Sequence, residues 1–143
     1  MSAPTAVRTY VAWLEDEPGV LNRVTSLFRR RNYNILSLNV GRTHDKGVSR
    51  MTLVVDADLD TARRLEANLY KLVNVLAVQD LTDEPALIRD LALIKVAAPA
   101  ERRAEILQLV EVFSARVVDI TDASLIVEIT GTADNIDGHV AVL

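Results

Sequence analysis

The residues whose types and spacing suit chemistry are few, and they gather at one turn. Asp16 and Glu17 are the acidic pair at a well-defined turn in the first half of the chain. Acid and base catalysis needs carboxylates held in a cleft beside a partner, and no histidine, cysteine or lysine accompanies this pair in a recognisable arrangement. Their expected role is to cap the helix that follows. His44 falls in a predicted hairpin loop and His139 near the end, too few and too far apart for a metal site of ordinary spacing, so both are expected as solvated loop groups. The chain has no cysteine, which removes disulfides, thiolate ligands and thiol nucleophiles together and fits a reducing cytoplasm. Gly19 stands alone, with neither GxGxxG nor a lysine-bearing phosphate loop around it. Arg29-Arg30-Arg31 is the densest basic cluster, but it sits at a predicted helix end, where cations complement the last carbonyls. A net charge of -4 and 4% aromatic residues give neither a general attraction to phosphate backbones nor a stacking platform, so no nucleic-acid partner is expected. What remains is the turn itself, where unpaired backbone N–H groups favour an anion such as an amino acid's carboxylate.

Positioning that turn requires a strand before it and a helix after it. Arg8 to Leu14 is apolar enough for the strand, and Glu15-Asp16-Glu17-Pro18-Gly19 breaks it with a proline suited to a first helical turn. Val20, Leu21, Val24, Leu27 and Phe28 then recur at three- and four-residue spacing, while Asn22, Arg23, Ser26 and Arg30 fall on the other side. This helix stops around Asn32-Tyr33-Asn34. Ile35 to Arg42 and Val48 to Asp56 read as a hairpin joined by Thr43-His44-Asp45-Lys46-Gly47. Ala62, Leu65, Leu69 and Leu72 mark a second helical face, and Val73 to Leu81 gives a last strand. The order is βαββαβ, the ferredoxin-like α+β arrangement in which two helices cover one face of a four-stranded antiparallel sheet.

With 143 residues, half of them hydrophobic, there is room for a second small domain. The expected division is a first domain over 8–81, a linker over 82–88 containing Pro85, and a second domain over 89–143. The second repeats the pattern: a strand from Leu91 to Ala97, a helix from Glu101 to Ser114, and strands from Ala115 to Ile120 and from Leu125 to Thr130. A further helix begins after Gly131, weakened by Gly138, and the chain ends before that helix and a closing strand are complete, so this domain reads as truncated. No apolar run approaches the roughly 18 residues that span a bilayer, and the start has no apolar core of signal-peptide length. The expectation is a cytoplasmic chain with no membrane partner.

Leu14-Glu-Asp-Glu-Pro-Gly-Val-Leu21, Asn22-Arg-Val-Thr-Ser-Leu-Phe28 and Arg31-Asn-Tyr-Asn-Ile35 closely resemble the opening of ACT domains. Ser37-Leu-Asn-Val-Gly41, Ser49-Arg-Met-Thr52, Lys71-Leu-Val-Asn-Val75 and Arg89-Asp-Leu-Ala-Leu-Ile-Lys-Val96 narrow the resemblance to the small regulatory subunit of acetolactate synthase, over about Arg8 to Gly131. The resemblance implies a non-catalytic chain that activates a catalytic large subunit carrying thiamine diphosphate, a divalent metal and FAD, with no cofactor of its own. It also implies feedback inhibition by valine, or by leucine or isoleucine, bound between two ACT domains of a homodimer. The effector residues it carries over are Asp16, Gly19, Val20 and Leu21 from the first turn, and Asn34 and Ile35 from the next loop.

Each transfer has a physical basis. Gly19 lets a ligand approach the backbone, and N–H groups around it and Val20 can hold a carboxylate. Asp16 and Asn34 offer oxygens to an ammonium, while Val20, Leu21 and Ile35 could surround an aliphatic side chain. Some family members have asparagine in place of Asp16, so its charge bears on effector affinity and choice. The alternative function is a stand-alone ACT-type amino-acid sensor controlling another partner, which the Arg89 to Val96 motif disfavours. A small ferredoxin-like hydrolase would need an arginine-bearing anion loop, and this turn is acidic.

Overall fold

The computed structural model describes residues 4–31 and 33–143; the expected helix stop at Asn32 lies outside the described residues. The chain divides into two compact units, Met1–Ala86 and Leu87–Leu143. In the first, the elements run β1 (Ala6–Glu15), α1 (Val20–Arg31), β2 (Ile35–Arg42), β3 (Val48–Ala57), α2 (Leu59–Tyr70) and β4 (Val75–Asp80). The four strands form one antiparallel sheet in the order β2-β3-β1-β4, the ferredoxin-like arrangement read from the order of elements.

Strand alternation decides which residues meet the helices. Tyr10, Ala12 and Leu14 of β1 lie on the same sheet face as Met51, Leu53 and Val55 of β3. These residues form one core with Val20, Val24 and Phe28 of α1 and Ala62, Leu65 and Leu69 of α2. Leu53, Leu65 and Leu69 are fully buried, each worth roughly 1.5–3 kcal/mol of transfer free energy. Asp58 opens α2 by accepting the Thr61 N–H at 2.7 Å, which holds its carboxyl below the ordinary carboxylate range. Tyr10 ties β1 to the same helix through a hydrogen bond to the Ala62 carbonyl at 3.4 Å. Burial, with Asp80 nearby, pushes its phenol up to about 12.

The second unit runs β5 (Asp90–Ala97), α3 (Arg103–Val112), β6 (Arg116–Ile120), β7 (Ser124–Gly131) and α4 (Ala133–Val142). Its three strands are ordered β5-β7-β6, and Leu125, Val127 and Ile129 of β7 pack against Val96, Ile106, Val110 and Ile136. The helix expected to be cut short is ten residues long and starts on Thr132, whose side chain accepts the Asn135 N–H. That cap and the burial of Ile136 offset the weak helix propensity of Gly138. His139 departs from the expected solvated loop. It lies in α4 with its ring stacked on Phe113, centroids 4.2 Å apart.

α3 ends on a backbone that its sequence does not favour. Ser114 has φ +55°, and its N–H bonds the Glu111 carbonyl at 3.0 Å while Ala115 bonds that of Val110 at 2.9 Å. This is a left-handed helix terminus, a position glycine fills without steric cost. Ser114→Gly is therefore expected to raise stability by up to about 1 kcal/mol, the relief of strain less the added freedom of the unfolded chain. A denaturant titration with a lower midpoint than the parent chain would contradict this.

Candidate functional site

The register of β1 on β3 sets the geometry of the turn. Glu15 pairs with Val48, so β1 ends where the β2–β3 hairpin begins its return. The Asp16 N–H donates to the Gly47 carbonyl at 2.8 Å, which stitches the turn to the hairpin. Because β2 runs antiparallel to β3, Arg42 pairs with Ser49 and arrives at the same end of the sheet. Its Nε lies 3.0 Å from Asp16 Oδ2. Asp16 is thus engaged by a cation from the end of β2, the strand beyond β3, rather than by the helix start, and the expected capping role is corrected. Glu17 contributes its backbone carbonyl, which accepts the Val20 N–H at 3.3 Å.

Gly19 occupies the helix N-cap position, since its carbonyl accepts the first helical bond from Arg23 at 3.1 Å. Its φ is +86°, and a Cβ there would meet nothing within 4 Å. The glycine is required by conformation, and the space above it is open. Leu21 and Asn22 follow in the first turn, where N–H groups have no intrahelical acceptor. Leu21 is 44% exposed. Val20 is not free to surround a ligand's side chain as its apolar type suggested. It is 4% exposed and packs in the core, because the first turn of an amphipathic helix must commit one residue to the sheet.

A second layer holds this turn in place. Arg23 Nη1 donates to Asn74 Oδ1 at 2.5 Å, and Asn74 Nδ2 donates to Glu15 Oε2 at 3.1 Å. The Glu15 N–H also donates to the Asn74 carbonyl at 2.9 Å. Asn74 is 8% exposed, so a polar side chain buried between the strand end and the first helix is satisfied on both its oxygen and its nitrogen. Sequence reasoning singled out neither this network nor Arg42. Arg42 was legible from the hairpin, whose register fixes which end of β2 comes back to the turn.

Asn34 and Ile35 do not join Asp16 and Gly19 within one chain. Ile35 pairs with Val55 and Glu15 with Val48, seven residues apart along β3, or about 23 Å at strand spacing. α1, with its 12 residues, spans the same gap. Asn34 is exposed and Ile35 half-buried, and the Asn34 carbonyl accepts the Asp56 N–H at 3.1 Å. The six expected residues therefore form two poles at opposite ends of the first helix.

Two family models match: the AHAS small subunit-like ACT domain over residues 12–77 and the small subunit of acetolactate synthase over residues 89–143. The acetolactate synthase small subunit of Mycolicibacterium smegmatis is 43% identical over all of this chain and 84% of its own length. The chain belongs to the acetolactate synthase small-subunit family. A probable small subunit from Archaeoglobus fulgidus is 42% identical over 94% of this chain and 84% of its own. The crystal structure of the acetolactate synthase small subunit from Thermotoga maritima superposes with a TM-score of 0.90 at 34% identity, covering 96% of this chain and 86% of that one. As in the family, the first unit is an ACT domain. Among the described residues, no group of three or more histidine, cysteine, aspartate and glutamate side chains is placed to hold a metal ion, and no helix is long and apolar enough to cross a membrane.

The conformational demand at Gly19 is open to direct measurement. Gly19→Ala is expected to cost about 1–2 kcal/mol of stability through its positive φ alone, because the added methyl group meets no neighbour. Gly41→Ala, equally unobstructed but with no positive φ, is expected to cost less. Equal denaturation midpoints for the two variants would refute the conformational reading.

Proposed function

We propose that this chain is a regulatory, non-catalytic subunit of acetolactate synthase that associates with a separate catalytic subunit, raises its activity and confers feedback inhibition by valine, leucine or isoleucine. The observation that carries the assignment is the likeness over the whole chain to acetolactate synthase small subunits. In this reading the chain's own chemistry is recognition of an amino acid, and bond making belongs to the catalytic partner.

The effector set we propose is Asp16, Gly19, Leu21 and the Val20 peptide from one copy, with Asn34 and Ile35 from another. The separation of the two poles supports a site shared between copies. β2 is an edge strand, and Leu36, Leu38 and Val40 are 53%, 38% and 37% exposed. Leu38 and Val40 pair with Leu53 and Met51, so they lie on the helix-covered face but beyond the helices' reach. An apolar, unpaired edge favours strand addition. Antiparallel pairing of β2 with its counterpart about Leu38 would set Asn34 and Ile35 of one copy beside Gly41 and Arg42 of the other, and so join the two poles twice by symmetry. The helix N-terminus would then hold the amino acid's carboxylate, Asp16 and Asn34 its ammonium, and Leu21 and Ile35 its branched side chain.

Reconstitution tests the function. Adding the chain to its acetolactate synthase catalytic subunit is expected to raise the rate and introduce inhibition by valine. No change in rate, in valine response and in elution volume would remove the assignment. Association tests the shared site. Light scattering is expected to show dimers at micromolar concentration. Asn34→Ala is expected to weaken amino-acid binding about 5- to 150-fold, the loss of one polar partner worth on the order of 1 to 3 kcal/mol. Monomers with and without valine would count against a site divided between copies.

A further inference from the structure

The proposed ammonium acceptor is already occupied. Asp16 Oδ2 lies 3.0 Å from Arg42 Nε, with the Asp16 side chain one-third exposed and that of Arg42 85% exposed. The Asp16 N–H bonds the Gly47 carbonyl, so backbone and side chain are both engaged by the hairpin. Asp16, Arg42, Thr43, Lys46 and Gly47 help to line an open cleft of about 370 Å³. Of the other charged groups that line the cleft, Asp45 lies 3.6 Å from His44 and Lys46 adds a further cation. An ammonium that pairs with Asp16 therefore approaches a carboxylate that a like charge already holds.

We propose that Arg42 is a specificity-determining residue of the effector site: its ion pair with Asp16 is a latch that a ligand's ammonium must displace or share. The inference rests on the effector reading above. Its consequence has a definite sign. The latch lowers affinity for ligands that carry an ammonium and leaves ligands without one unaffected, because a ligand held by its carboxylate at the helix N-terminus does not compete for Asp16. An exposed ion pair contributes modestly, so the expected change is about two- to five-fold in affinity.

Calorimetric titration of the full chain with valine, and displacement of valine by isovalerate, separate the terms, since isovalerate has the same branched carbons and carboxylate without the amino group. Arg42→Ala is expected to bind valine two- to five-fold more tightly than the parent chain, with isovalerate unchanged. Arg42→Lys, which keeps a cation at the strand end, is expected to stay near the parent value. In an Asp16→Asn background, Arg42→Ala is expected to have no effect on valine. Circular dichroism and elution volume identical to the parent chain establish that the variants are folded. Valine affinity that is equal or weaker in Arg42→Ala, or valine and isovalerate shifting together, overturns the latch and leaves the effector reading standing. No binding of valine, leucine or isoleucine by parent and variants alike overturns the effector reading, and the latch with it.

Discussion

The antiparallel pairing of β1 with β3 runs unbroken from Ala6 opposite Ala57 to Glu15 opposite Val48, and the remaining geometry of the first unit follows from it. With these two strands at the centre of the sheet, alternation sends Tyr10, Ala12 and Leu14 into the same layer as Met51, Leu53 and Val55, where both helices bury their apolar stripes. A slip of one residue would turn that layer to the opposite face. The same register ends β1 beside the hairpin turn, so the turn into α1 is fixed by strand pairing before any side chain at the turn contributes. The Asp16 bond to Gly47, the Asn74 network and the Asp16–Arg42 pair all attach to that frame.

Most of the architecture was legible because its elements carry their periods openly. Val20, Val24 and Phe28 mark the face of α1, and Leu65 and Leu69 that of α2, at helical spacing. Thr43 to Gly47 carries turn residues, and Gly47 takes up the positive φ the hairpin needs. α4 was harder to read, because Gly138 argues against a helix locally while the Thr132 cap and the burial of Ile136 argue for it through context. Tertiary packing outweighs propensity in such a case. His139 was misread for the same reason, since its stacking on Phe113 joins residues that are distant in sequence.

At the candidate site, residue types were legible and spatial grouping was not. A glycine after Glu-Pro at a helix start announces a special backbone, and Gly19 has one. That Val20 belongs to the core while Leu21 faces outward depends on where the helix stripe begins, and two adjacent aliphatic residues leave this open. Resemblance assigned all six residues to one site between two ACT domains without saying which copy supplies which. Only the strand register reveals that one chain holds the set as two poles about 23 Å apart. Arg42 was passed over because its residue type alone carries no signature and the signal lay in the register of the hairpin. Its meaning comes from the antiparallel return that sets it against Asp16.

A recognition site divided between copies ties ligand binding to association. Any ligand that binds the paired form and not the separate chains stabilises the pairing by RT ln(1 + [L]/Kd), and by the same linkage pairing raises affinity for the ligand. β2 is the element through which this coupling would pass, since it begins at the Asn34 pole and ends at Arg42 beside the Asp16 pole. Pairing of two β2 edges would add backbone hydrogen bonds and cover Leu38 and Val40, contributions that are the same whichever branched-chain ligand is bound. Discrimination among ligands must therefore arise at the polar ends, where an uncompensated charge costs more than a missing methylene. The acidic residue at the turn and the arginine facing it form such an end. In the proposed site, a neutral side chain at position 16 would remove both the attraction for an ammonium and the competition for it, so the charge on Asp16 would act on amino acids and leave their deaminated analogues unaffected, and whatever affinity it adds for the one is discrimination against the other.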